Sequence, residues 1–271
     1  MNFHTLLYPL LAMLPGVLLS APAAAKVVTR TVPYQYEGKT YQGYLAYDDA
    51  KKGPRPGVLV VHEWWGLNDY AKSRTRQLAE SGYVAFAPDM YGDGKTTSDP
   101  KEAQALSSAV SSQPGQFSAL SKAGLDVLRK QPHVDGDKLA AIGFCFGGTA
   151  VLQLAYSGVP LKAVVTFHAG LVVPDEKQAA AIRTPIVILH GDEDPFNKPE
   201  TVDGVRKALD AAKVDWYLVS YGNAVHAFSD PASDSYKIPG IAYNEKAARR
   251  SWDEMQRFFN ERFSTGKGKG K

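Results

Sequence analysis

Lys138-Leu139-Ala140-Ala141-Ile142-Gly143-Phe144-Cys145-Phe146-Gly147-Gly148 runs from a short apolar strand into a cysteine flanked by glycines, and a helical pattern follows from Thr149 to Tyr156. A nucleophile placed between a strand and a helix sits on a sharply bent backbone, so its neighbours two residues away must be small. Gly143 and Gly147 meet that demand, with cysteine where serine is usual. The bend exposes the sulfur, and a helix beginning near Phe146 aims its amide dipoles at it, which favours a thiolate and later an oxyanion. The stretch therefore predicts a nucleophile elbow with Cys145 as its reactive atom.

The strands and helices around the elbow alternate. Val27 to Tyr36 and Tyr41 to Tyr47 alternate apolar and polar residues about Glu37-Gly38-Lys39, as an antiparallel hairpin with one wet face does. Gly57 to Val61 is a continuous apolar run that suits a strand buried on both faces, and it ends in His62-Glu63-Trp64-Trp65-Gly66. Asn68 caps a helix to about Ser81, and a strand from Tyr83 to Ala87 closes at Pro88-Asp89. Two helical patterns between Ser98 and Gln131 part at Pro114-Gly115. Beyond the elbow come strands Lys162 to Phe167, Ile186 to Leu189 and Val214 to Tyr221, with helices Pro199 to Ala212 and Asn244 to Phe263. This order predicts an α/β fold, a mostly parallel doubly wound sheet with an antiparallel N-terminal hairpin, whose reactive groups stand on loops at the carboxyl ends of the strands.

The chain of 271 residues, with 44% hydrophobic and 22% charged, suits one large core. The apolar run Leu6 to Ser20 followed by Ala21-Pro22-Ala23-Ala24-Ala25 predicts a signal peptide over residues 1–25, cleaved after Ala25, with an uncleaved anchor as the alternative. A periplasmic or secreted domain over 26–265 and a flexible lysine–glycine tail over 266–271 follow. The three tail lysines account for the formal net charge of +3, so the body is neutral and carries no footprint for nucleic acid. A monomer is expected. One cysteine rules out an intramolecular disulfide, and with no second thiol to resolve an intermediate a redox role is disfavoured.

A thiol nucleophile needs a base, and the base needs an acid to orient it. Both occur downstream in that order. Asp194 follows the strand ending at Leu189, in competition with Asp192 and Glu193, and His226 lies in the loop after the last strand. Nucleophile, acid, histidine is the chain order of α/β-hydrolases. The residues together resemble the dienelactone hydrolase family from about Tyr41 to Phe263: Gly143 to Gly148 match its Gly-x-Cys-x-Gly-Gly elbow, Glu63 its glutamate after a buried strand, and His226-Ala227-Phe228 its histidine segment. The resemblance implies a nucleophile, base and orienting acid at Cys145, His226 and Asp194, and a Glu63 that contacts the resting thiol. It also implies backbone oxyanion donors at Phe146 and Trp64.

Trp64, Trp65, Tyr91, His168, Phe196 and Phe228 are expected on loops at one sheet edge, where they could wall an aromatic substrate pocket. Family members that cleave dienelactone carry two arginines for the substrate carboxylate. Asp93 and Asp230 stand near those places here, so a carboxylate is expected to meet repulsion, and Arg74 or Lys95 are the available substitutes. These readings predict a hydrolase of a small ester or lactone working through a thioester, with no metal or organic cofactor. A non-catalytic protein of the same fold, binding an apolar or aromatic ligand or a partner protein, is the alternative.

Overall fold

The computed structural model describes residues 27–264 together with Met1. The expected signal segment and the lysine–glycine tail lie outside the described residues. Eight strands form one sheet: β1 (Val27–Tyr36), β2 (Lys39–Asp48), β3 (Arg55–Val61), β4 (Val84–Ala87), β5 (Val134–Phe144), β6 (Ala163–Phe167), β7 (Ile186–Gly191) and β8 (Trp216–Tyr221). Their spatial order is β1-β2-β4-β3-β5-β6-β7-β8. The β1–β2 hairpin and the β2–β4 pair are antiparallel, and every later pair is parallel. Among the described residues there are seven α-helices: α1 (Asp69–Glu80), α2 (Pro100–Ser111), α3 (Gln116–Arg129), α4 (Phe146–Tyr156), α5 (Glu176–Ala181), α6 (Pro199–Ala211) and α7 (Glu245–Ser264). Among the described residues, no helix is long and apolar enough to cross a membrane.

Period-two alternation distributes the central strands between two cores. Val58 and Val60 of β3 join Ala140 and Ile142 of β5 against α1 and α7. Leu59 and Val61 face the other way with Ala141, against α3 and α4. All four β3 residues from Val58 to Val61 are fully buried, each worth about 1.5–3 kcal/mol of transfer free energy. That two-sided demand is why the run is continuously apolar. The parallel registers bring the C-terminal ends of β3, β5, β6 and β7 to one edge, with Val61 beside Gly143, Phe144 beside Phe167, and Phe167 beside Leu189.

Most predicted elements stand within two residues of their expected bounds. Asn68 caps α1, its side chain accepting from Ala71 N–H. Two short elements were not anticipated. Helix α5 is only six residues, too brief for periodicity to register, and is held by a capping box between Asp175 and Gln178. A 3₁₀ turn over Ser233–Tyr236 lies in the loop after β8 that carries His226.

Candidate active site

Cys145 joins β5 to α4 with φ 51° and ψ −116°, outside the regions that side chains ordinarily occupy. Close packing on both sides holds it there. A Cβ on Gly143 would lie 2.0 Å from the Gly147 carbonyl oxygen, and one on Gly147 would lie 2.2 Å from the Val61 carbonyl oxygen. The glycines thus let α4 press against β5 and the end of β3. The N–H groups of Phe146, at the helix start, and of Trp64 donate to no other group among the described residues. Two orphan donors therefore stand on the two loops expected to supply them.

The loops after β7 and β8 bring His226 and Asp194 together. His226 Nδ1 donates to Asp194 Oδ2 at 2.8 Å, and the backbone N–H of Phe196 and Asn197 Nδ2 also donate to that carboxylate, each at 2.9 Å. Of the three neighbouring acids, Asp194 alone is buried; Asp192 is exposed and takes the Ser220 hydroxyl, and Glu193 is exposed. Burial opposes the charge on Asp194, but the His226 contact outweighs it and holds the carboxyl below its usual range. Burial likewise opposes protonation of His226, yet the Cys145 sulfur and Asp194 push it up to about 10. Cys145, His226 and Asp194 thus form one electrostatic unit.

Asn197 is a member of this unit that sequence reasoning missed. Its amide donates to Ala169 O and Asp194 Oδ2, and its Oδ1 accepts from Leu171 N–H, which ties the β7 loop to the β6 loop. An amide three residues past the acid was the available signal.

Glu63 is buried, and burial followed by the Cys145 charge raises it well above the ordinary carboxyl range. Its Oε1 has no hydrogen-bond partner and lies 3.8 Å from His168 Nε2, too far for a hydrogen bond. Burial lowers His168 well below the usual histidine range, so this is a contact of two neutral groups, not an ion pair. His168 Nε2 instead meets the Ser229 hydroxyl at 2.7 Å, and that hydroxyl meets the Tyr70 hydroxyl at 2.7 Å. Arg74 donates to Ser229 O and lies over the rings of Tyr70 and Trp252. His62 is also neutral, lowered by burial; its Nδ1 donates to Glu63 O at 2.5 Å and its Nε2 accepts from Met90 N–H at 3.2 Å, which fixes the loop after β3.

The adjoining cavity of about 780 Å³ corrects the expected aromatic wall. Trp64 and Phe196 line it, but Trp65, Tyr91, His168 and Phe228 are buried behind it. Trp65 stacks on Tyr236, Tyr91 donates to Trp64 O at 2.8 Å, and Phe228 packs on the His168 ring. They support the walls without forming them, because each is buried at the base of its loop against neighbouring loops. Phe117, Phe146, Leu171, Ile238 and Ile241 supply the apolar surface instead. The expected repulsion from Asp93 and Asp230 is corrected as well. Asp93 is exposed, Asp230 is buried with Ala232 N–H donating to it, and neither reaches the cavity. Arg74 and Lys95 do not line it either.

Among the described residues no group of three or more His, Cys, Asp or Glu side chains is arranged to hold a metal ion. The arrangement offers a polarised sulfur, a base fixed by an acid, two free amides and a cavity beside them. This is equipment for attack on an electrophilic carbonyl.

Known proteins share both sequence and shape with the chain. A relative of Aquifex pyrophilus named Protein usf is 29% identical over 85% of this chain and 97% of its own. A Yersinia pestis protein provisionally named carboxymethylenebutenolidase is 30% identical over 85% of this chain and 86% of its own. The crystal structure of a dienelactone hydrolase-like promiscuous phosphotriesterase from metagenomic libraries superposes with a TM-score of 0.84 at 42% identity, covering 87% of this chain and 98% of that one. The profile of the dienelactone hydrolase family matches residues 41–263, and the chain belongs to that family of α/β-hydrolase-fold ester and lactone hydrolases.

Proposed function

We propose that the protein hydrolyses a carboxylic ester or lactone through a covalent thioester on Cys145. The observation that carries this reading is the chain of contacts from the Asp194 carboxylate through His226 to the sulfur, at a strained turn that opens on the cavity. His226 Nε2 accepts the thiol proton, and the sulfur adds to the substrate carbonyl. The Phe146 and Trp64 amides receive the oxyanion. Collapse expels the alcohol, which takes its proton from His226. His226 then removes a proton from water, the hydroxide adds to the thioester, and release of the acid restores the thiol. Asp194 keeps the imidazole in the tautomer with its proton on Nδ1 and stabilises the imidazolium.

Glu63 stands in this reading as a neutral acid beside the sulfur, whose ionisation would oppose a second negative charge there. The metagenomic relative's description as a promiscuous phosphotriesterase makes neutral phosphotriesters a reasonable second substrate class. Export of residues 26–271 after cleavage at Ala25 belongs to the same proposal, and N-terminal sequencing of the mature protein tests it.

The decisive experiment is hydrolysis of a short-chain activated aryl ester by wild type, Cys145→Ala and His226→Ala, with mass spectrometry of the quenched reaction. An acyl adduct on Cys145, together with loss of turnover in both variants, is expected. Turnover indifferent to Cys145 would refute the thioester route.

A further inference from the structure

Helix α4 is buried along almost its whole circumference, because it packs between the sheet and α3. Its departures from burial form one stripe: Cys145 at its cap, then Thr149 and Gln153, at steps of four residues. All three line the cavity. Four residues of helix place successive side chains on one face and rise about 6 Å, so the stripe is a ruler of about 12 Å from the nucleophile to Gln153.

The chemistry along that ruler is specific. Apart from the Cys145 thiol and the His226 imidazole, no lining residue is ionisable. Four glutamines reach the cavity, and three are committed elsewhere: Gln104 donates to Ser108 Oγ, Gln113 donates to Ala109 O, and Gln178 accepts from Asp175 N–H. Thr149 donates its hydroxyl to Gly170 O. The half-buried Gln153 amide alone among the four has no side-chain hydrogen-bond partner among the described residues. At the rim the surface turns apolar: Val172 and Phe196, exposed by 41% and 55%, are two of the few exposed large hydrophobic side chains among the described residues.

We propose that Gln153 is a specificity residue, which receives an uncharged hydrogen-bonding group of the substrate about 12 Å along the cavity from the carbonyl that Cys145 attacks. The substrate class is therefore a neutral, elongated ester with an apolar middle and a distal amide, hydroxyl or carbonyl. A distal carboxylate or ammonium would lose water there without gaining a countercharge. A cavity of about 780 Å³ fits an elongated molecule and is generous for a single small lactone ring. The assignment rests on the hydrolase reading for the position of the scissile carbonyl.

The test uses aryl esters of straight-chain acids ending in carboxamide, methyl or carboxylate, in chain lengths that span the ruler, and a mirrored series with the terminal group on the alcohol side. In at least one series wild type should favour carboxamide over carboxylate by about tenfold or more in kcat/KM. Gln153→Leu should lower the carboxamide-to-methyl ratio by about five- to tenfold, chiefly through KM, as loss of one neutral hydrogen bond does. Gln153→Arg should turn the preference toward carboxylate, a gain that misfolding cannot produce. Calorimetric binding of the same esters to Cys145→Ala reads the pocket without turnover. Carboxamide-selective binding that Gln153→Leu abolishes, with an inactive wild type, would sink the hydrolase reading and keep Gln153 as the residue that receives the uncharged group. Turnover or binding with a ratio that Gln153→Leu leaves unchanged, or a wild-type preference for carboxylate, would overturn it.

Discussion

The cavity in front of Cys145 and the polar cluster on the α1 and α7 side of the same sheet edge are built from adjoining residues of the same loops, yet they treat charge in opposite ways. The cavity excludes it: His226 is its one ionisable base, and amides, hydroxyls and apolar side chains make up the rest of its polar and apolar surface around the thiol. The cluster gathers it, with Glu63, His168, Arg74 and Asp230 packed among Tyr70, Ser229 and Trp252. Burial raises Glu63 and Asp230 and lowers His168, so each of the three is shifted toward its neutral form around the Arg74 guanidinium. The difference teaches where ionisable groups can be tolerated: behind Cys145 when burial shifts them toward their neutral forms, and in front of it only as the histidine that Asp194 holds.

The sharpest break of that contrast is to uncouple the one charged group in front. Asp194→Asn, which leaves a bond to His226 but removes the charge, is expected to lower kcat by about 10²–10⁴-fold. An NMR titration of the His226 ring should find its midpoint, about 10 in wild type, moved downward in this variant and in Cys145→Ala, since both groups raise it. The sign for stability follows. A histidine raised above its unfolded value contributes stability that is present below about pH 6.5 and lost as pH rises through about 10.

Gly147→Ala attacks the boundary between the two regions. Its new methyl would meet the carbonyl oxygens of Val61 and His62, neither of which can retreat without moving β3. A loss of about 3 kcal/mol or more in chemical denaturation is expected, with the activity falling alongside.

Ser229→Ala breaks the cluster alone. The Tyr70 hydroxyl and His168 Nε2 both lose a partner at 2.7 Å in a buried site, which costs about 2 kcal/mol of stability by thermal or urea unfolding. Because Ser229 does not line the cavity, the preference among neutral substrates should persist. Glu63→Gln has the smallest effect on stability at acidic pH and shows itself in the slope instead. A carboxyl whose folded value is raised favours the fold below its unfolded value, near 4.5, and this contribution disappears as pH rises through the folded one. The variant should therefore lose less stability than wild type between mildly acidic and alkaline pH, measured as Tm against pH.

The sequence by itself determined the strands, the longer helices and their order, because the double-sided burial of β3, β5, β6 and β7 demands continuous apolar runs and the bend at Cys145 demands glycine on both sides. It also marked His226 and an acid near residue 194, since loops after parallel strands gather at the carboxyl edge of the sheet, where α/β folds place their ligand sites. Only the tertiary structure decided among Asp192, Glu193 and Asp194, because the choice turns on which carboxylate the β7 loop buries against the ring. It alone decided that Trp65, Tyr91 and Phe228 are supports and that Phe117, Ile238 and Ile241 are walls, for these residues are far apart in the chain and their side chains meet only after the sheet has formed. The neutrality of the cavity has the same origin. Charged residues occur on both sides of nearly every loop that borders it, and which of them face the thiol is settled by the directions of side chains on packed helices, a property of the assembled fold and of no single segment.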